Sequence, residues 1–598
     1  YPASAEASVA KGVGQALSRE QAGQDEEDYQ RERYGVPPPD HTRSWQEQQE
    51  EALNKEIAAQ RLDIQHYDLE ARLIPDEHRL EARVVMTAQL AGAKPLNRVI
   101  FRLGPQMGVQ RIARLDSPLP PKAAAPGVSG ESEIPFRHEE GVLACRLPQA
   151  ASPGQPLYLY FEYVSESTAP RLWRGDVIGS ASGFLRPESC WYPYTLWGDN
   201  ATCKATYRLP ESLQVVGNGT LQEERVEQGE RLASWESTLP FFGITLAYGP
   251  YTKTSREVKA GGRTFPLSCY TLPEHASRAA EVITEAQLIL SFYSERFCPF
   301  PYEALKIVEA PAFPGGYGSC TLLLLMSNFF EGDMQRWLLA HELSHQWWGN
   351  LLGIELAGEG ANIPWLSEGF ATYSDILYTE HLESQRHWRQ HLDKYAGLYY
   401  EHASHGTDEP ILTVRWASPM YHAITYEKGA LVLHALRYLM GDEAFFQALR
   451  TYAERYAFSA VTVDDFRRVC EEYYQAEPES PGYPAEGERA SLEWFFEEWL
   501  ERPGFPILKI ESVKAAPASA GFEIKVTMIQ EESVYRLPVD LRVRGHLDQE
   551  FTRRVWLTMP DEVLTFESSW VPQEVQLDPD GWLLKDPRPA FIHWKLSG

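Results

Sequence analysis

His341-Glu342-Leu343-Ser344-His345 places two imidazoles four residues apart with a carboxylate beside the first. A helix turns once every ~3.6 residues, so positions four apart share a face and two such imidazoles can hold one metal ion. Glu342 falls in the same arc, where a carboxylate can take a proton from a metal-activated water. A catalytic zinc takes three protein ligands and leaves a fourth position for water, whose pKa it lowers toward ~7. The third ligand has to come from elsewhere. Glu368, in Ser367-Glu368-Gly369-Phe370-Ala371, is the choice, with Glu355 and Glu359 as rivals, and one Zn2+ per chain is expected.

Two helices must position these groups. Asp333 is a suitable N-cap, residues 334–347 contain neither Pro nor Gly, and Gly349 is placed to stop a helix, so the sequence predicts one over 334–347. Asn362 and Pro364 can open a second helix whose first turns carry Glu368 back toward the first. Asp375 lies seven residues beyond Glu368, on the same helical face, where it could orient a ligand histidine from behind.

The motif continues as Gln346-Trp347-Trp348-Gly349-Asn350-Leu351, and Glu368 lies within Trp365-Leu366-Ser367-Glu368-Gly369-Phe370-Ala371-Thr372-Tyr373. Together these closely resemble the aminopeptidase N family of zinc metallopeptidases, the gluzincin pattern in which HELxHQWxGN precedes WLxEGFAxY. Tyr302-Glu303-Ala304-Leu305-Lys306-Ile307-Val308 is similar to the family's strand before its substrate loop, and Tyr426-Glu427-Lys428-Gly429-Ala430 to its catalytic-tyrosine segment. The resemblance runs over roughly residues 62 to 590. It implies that His341, His345 and Glu368 bind zinc, that Glu342 activates the water, that Tyr426 stabilises the tetrahedral oxyanion, and that the bonds cut are peptide bonds.

Two departures bear on substrate. Gln346 to Ser367 makes 22 residues, longer than the family gap, with the excess around Ala357-Gly358-Glu359-Gly360; loop insertions are cheap because closure entropy grows only logarithmically. Where family aminopeptidases carry Gly-Ala-Met-Glu-Asn, this chain has Gly315-Gly316-Tyr317-Gly318-Ser319. The aligned glutamate, which in the family holds the substrate's free α-amino group, is Gly318. The glycines still let the backbone of Gly315, Gly316, Tyr317 and Gly318 run beside an extended peptide. Glu309 is the nearest upstream carboxylate, with an ordinary strand role as its plainer reading. The expectation is an aminopeptidase with an unusual amine-binding site. The alternative is an endopeptidase or atypical exopeptidase working in an open cleft. A retired binding scaffold is disfavoured by the intact Glu342, both histidines and Tyr426.

The 598-residue chain predicts several domains. Its net charge of −28 argues against nucleic acid and anionic membrane as partners, and peptides are the partners that the resemblance implies. Seven cysteines without paired spacing make neither a disulfide framework nor a second zinc motif. No apolar run approaches the ~20 residues that span a bilayer. The chain begins at Tyr1 without methionine, so compartment stays open, as does oligomeric state. The fold class expected is multi-domain α+β. Residues 1–61 read as a polar helical extension, 62–252 as an antiparallel β domain, 253–504 as a thermolysin-like, mostly helical catalytic domain and 505–598 as a small β-sandwich. The large C-terminal helical domain of many family members has no counterpart, which predicts a more open cleft.

Overall fold

Leu80, Ala82, Val84, Met86, Ala88 and Leu90 all point inward from strand Arg79–Leu90, none more than 2% exposed, as a period-two pattern requires of a half-buried strand. The computed structural model describes residues 45–118, 121, 131–165, 169–195, 200–354, 363–403, 408–416, 418–477, 480–481, 490–519, 521–586 and 593–595. The architecture is multi-domain α+β. Arg79–Leu90 lies in an eight-stranded sheet between Leu62–Ile74 and Pro156–Ser165. Pairing in that sheet is antiparallel except where Leu62–Ile74 runs parallel to Asn200–Pro210. Helix α1, Trp45–Ala59, precedes it; residues 1–44 of the expected extension lie outside the described residues. The chain leaves α1 through buried Gln60, whose amide donates to the Ile57 and Ile100 carbonyls and accepts from the Ile100 N–H.

A five-stranded sheet follows, in the order Thr252–Ala260, Arg263–Thr271, Leu305–Glu309, Leu322–Leu325, Gly316–Ser319. Its inner strands pair in parallel, and Leu305–Glu309 and Leu322–Leu325 are buried along their whole length, as a sheet covered on both sides requires. Gly316–Ser319 is antiparallel to Leu322–Leu325 and forms the edge. Helix α2, Ala279–Arg296, packs on this sheet, and α3, Arg336–Ser344, lies against α2. From Ile507 onward the chain forms two sheets, of three and four strands. Val526, Met528, Val539 and Leu541 line their buried faces.

Lys306 joins the first two layers. It is 3% exposed, its Nζ donates to Thr321 Oγ1 at 3.0 Å and to the Gly219 carbonyl, and it sits 5.3 Å from the Trp235 ring centroid. Burial pulls its pKa down from 10.5 to about 7. Between those values the unfolded chain binds more protons than the folded one, so stability rises with pH from about 7 to 10.5 and falls as pH drops through that window. Lys306→Met should flatten this slope, which is at most ~1.4 kcal/mol per pH unit, in denaturant titrations at pH 7, 8 and 9. An unchanged slope would mean the amine is charged in the folded state.

Candidate metal centre

The metal helix is shorter than its sequence suggests. α3 starts at Arg336 with Gln335 as an N-cap that makes no side-chain capping bond, and it ends at Ser344, after which Gln346 N–H and Trp347 N–H bond three residues back, to the Leu343 and Ser344 carbonyls. His345 still has helical dihedrals (φ −60°, ψ −15°), so it keeps the face of His341. Gly349 makes the sharp exit at φ +103°, where a side chain would strike Ser367 Oγ. A short 3₁₀ turn, Pro364–Leu366, leads into α4, Glu368–Leu382, which puts Glu368 at the first helical residue facing α3.

His341, His345 and Glu368 converge. One ligand atom from each lies within 4.8 Å of the others, with both Nε2 atoms 3.4 Å from Glu368 Oε2. The outer ring nitrogens are held from behind. His345 Nδ1–H donates to the Trp348 carbonyl at 2.9 Å, leaving the Nε2 lone pair directed inward. His341 Nδ1 faces Asp375 Oδ2 at 3.7 Å. Asp375 is 1% exposed and accepts from Tyr395 O–H at 3.1 Å, with His391 Nε2 at 3.4 Å, both from helix α5, Gln385–Ala403.

The electrostatics favour a cation. Burial opposes charge on His341, but Asp375, Glu368 and Glu342 outweigh it and lift its pKa to about 10. Burial likewise opposes charge on Glu368, yet His345 and His341 hold its carboxyl well below the usual range. Two imidazoles whose Nε2 atoms face inward, in a site whose carboxylates favour positive charge, and one ionised carboxylate match the nitrogen and oxygen donor set of a catalytic zinc, which would take the place of a proton there. The rivals Glu355 and Glu359 lie outside the described residues.

Strand Gly316–Ser319 lies directly over this centre. A methyl group at Gly318 would come within 2.6 Å of the Glu342 carbonyl and 2.7 Å of His345 Cβ, and one at Gly316 would overlap the Glu342 carboxylate. The glycines are therefore a packing requirement, and no carboxylate fits at 318 with this backbone. The strand is fastened by two residues of the motif. Gln346 accepts from Thr321 N–H and donates to the Ser319 carbonyl, both at 2.8 Å, and Asn350 Nδ2 donates to the carbonyls of Gly318 and His345 at 2.7 Å. Glu309 is fully buried and engaged by Leu272 N–H, His275 Nδ1 and Ser327 O–H at 2.7–2.9 Å, so its carboxylate has no capacity for a substrate amine.

The same stretch matches a known family. Residues 282–499 match the peptidase family M1 domain. Aminopeptidase M1 of Arabidopsis thaliana is 24% identical over 341 residues, covering 53% of this chain and 36% of that protein. Leucyl aminopeptidase of Saccharolobus solfataricus is 23% identical over 366 residues, covering 58% and 43%. The alignments thus span 36–43% of these relatives' lengths. In fold, an M1 zinc metallopeptidase of Deinococcus radiodurans superimposes with a TM-score of 0.59 at 21% identity, over 75% of this chain and 96% of that one. A variant of it has been crystallised with a Tyr-Ser-Ala substrate.

Tyr426 reaches the candidate metal centre by a route that its sequence motif conceals. It sits in a π-helical segment, Ala423–Lys428, that runs straight into helix α6, Gly429–Met440. The Trp365 indole is wedged against both Gly369 of α4 and Gly429 of α6, and donates to the Gly429 carbonyl at 2.9 Å. A methyl group at Gly429 would come within 2.6 Å of that indole and 3.3 Å of Gly369 Cα. These glycines bring the tyrosine segment beside Glu368, and the Tyr426 ring lies nearly parallel to that of His341 (5.9 Å, 11°). Gln346, Asn350, Trp365, Gly369 and Gly429 escaped sequence reasoning as positioning residues, although each stands in a quoted motif.

Three further features of the chain take ordinary roles. All seven cysteines are buried free thiols, and Asn218, which fits a glycosylation sequon, is buried and bonded to Cys320 and Thr245. Among the described residues no helix is long and apolar enough to cross a membrane.

Proposed function

We propose that this chain is a zinc-dependent metallopeptidase that hydrolyses peptide bonds, acting as an aminopeptidase whose amine contact lies away from position 318. The observation that carries the reading is the convergence of His341, His345 and Glu368 on one point, with Glu342 and Tyr426 beside it. A zinc ion there would supply a Lewis acid that polarises the scissile carbonyl and acidifies water. The chain's own groups do the rest. The edge strand Gly316–Ser319 offers main-chain pairing to an extended peptide, which needs no side chains. Glu342, packed under Gly316, takes the proton of the attacking water and delivers it to the leaving amine. The Tyr426 phenol donates to the oxyanion as charge develops on the carbonyl oxygen. Asp375 keeps His341 oriented.

The aminopeptidases among the relatives support exopeptidase action. One observation favours a second reading, cleavage inside longer chains: position 318 has no room for the carboxylate that would hold a free amine, and Glu309 is spent on internal bonds. Mass-spectrometric mapping of cuts in one peptide series, with free and acetylated amino termini, separates the two. Aminopeptidase action predicts stepwise loss of the first residue, abolished by acetylation. Internal cuts that ignore acetylation would replace that reading with the endopeptidase.

A further inference from the structure

We propose that His422 is a positioning residue that holds the Tyr426 phenol in its working orientation. This rests on the proposed role of Tyr426 as oxyanion donor.

The His422 and Tyr426 rings stack face to face, centroids 4.1 Å apart and planes within 3°. Tyr426 has two further ring neighbours, His341 at 5.9 Å and, edge-on, Tyr421 at 6.4 Å. The imidazole is itself fixed, since Nδ1–H donates to the Glu427 carboxylate at 3.1 Å. That carboxylate is buried, its side chain 5% exposed against 20% for His422. The imidazole is thus oriented by a buried acceptor while stacked on the half-buried Tyr426 ring.

The backbone explains how one residue reaches both partners. In an α-helix, residues four apart share a face, but residues five apart diverge by roughly 140°. Glu427 is five residues from His422 and would then point away. The π-helical turn at Ala423–Lys428, with its wider i→i+5 bonding, brings Tyr426 and Glu427 to the same side of His422. Such turns are costly and recur at functional sites. Here it builds a support for the one aromatic side chain that must aim at a developing charge. The stacked imidazole adds to what holds the phenol in place, and small misplacements of a reacting group can cost up to ~100-fold in rate.

The test uses the zinc-loaded full chain and peptide hydrolysis, with kcat and KM resolved. His422→Ala should lower kcat about tenfold with KM within about twofold, because an aiming error acts on the transition state more than on ground-state binding. His422→Phe, which keeps a stacking ring, should recover most of that loss. The deciding readout is the same change made in a Tyr426→Phe background, where His422→Ala should cost nothing further, since the two residues act as one unit. Glu427→Gln, which loosens the imidazole without removing it, should give a smaller loss that also vanishes in that background, and it serves if His422→Ala does not fold. Wild-type kcat in His422→Ala, or an equal fold-loss in both backgrounds, would overturn the inference and leave Tyr426's role standing. Full activity of Tyr426→Phe alone would overturn the role of Tyr426 and this inference with it.

Discussion

Glu342→Gln should keep one zinc per chain while kcat falls by roughly 10²–10⁴-fold, the range that a positioned general base contributes. The amide has the size of the carboxylate and cannot accept the proton of water. Shape matters here, because Gly316 lies directly against the Glu342 side chain. None of His341, His345 and Glu368 is altered, so metal content should hold. Metal analysis beside peptide turnover checks both halves. Full turnover in this variant would remove Glu342 from the reaction, and loss of zinc would show that its carboxylate helps hold the metal.

Glu368→Ala should lose zinc and activity together. Its Oε2 is the atom that both imidazole Nε2 atoms face at 3.4 Å, and it supplies the anionic member of the donor set. Two imidazoles alone fall short of the three protein ligands of a catalytic zinc. The fall in metal affinity should exceed the roughly 10–100-fold that loss of an outer partner such as Asp375 costs. Retention of one zinc per chain would hand the third position to Glu355 or Glu359. This variant therefore tests the ligand set, whereas Glu342→Gln tests the chemistry performed at it.

Much of the candidate site was legible because its geometry is local. His341 and His345 share a face through helical periodicity, and that survived even though α3 ends at Ser344, because His345 keeps helical dihedrals. Glu368 at the head of α4 follows from the Pro364 turn before it. The alternation in residues 80–90 likewise became a buried strand face. Other features were hidden because they depend on partners far along the chain. Glu309 reads in the sequence as an ordinary strand residue, and only the structure shows that Leu272, His275 and Ser327 close it off. Lys306 looked like a strand lysine and is buried between two layers.

The sequence by itself determined the candidate reagents: two imidazoles four residues apart, where helical repeat puts them on one face, a carboxylate beside the first, and candidate carboxylates downstream for a third ligand. It also determined that position 318 has no carboxylate. Only the tertiary structure decided why, since the space a side chain would need is taken by Glu342 and His345. It also decided how Tyr426 is delivered, through the Gly369–Gly429 contact under Trp365 and a π-helical turn stacked on His422. The physical reason is that periodicity sets which residues share a face within one element, whereas close approach between elements depends on excluded volume and hydrogen bonds among residues distant in sequence.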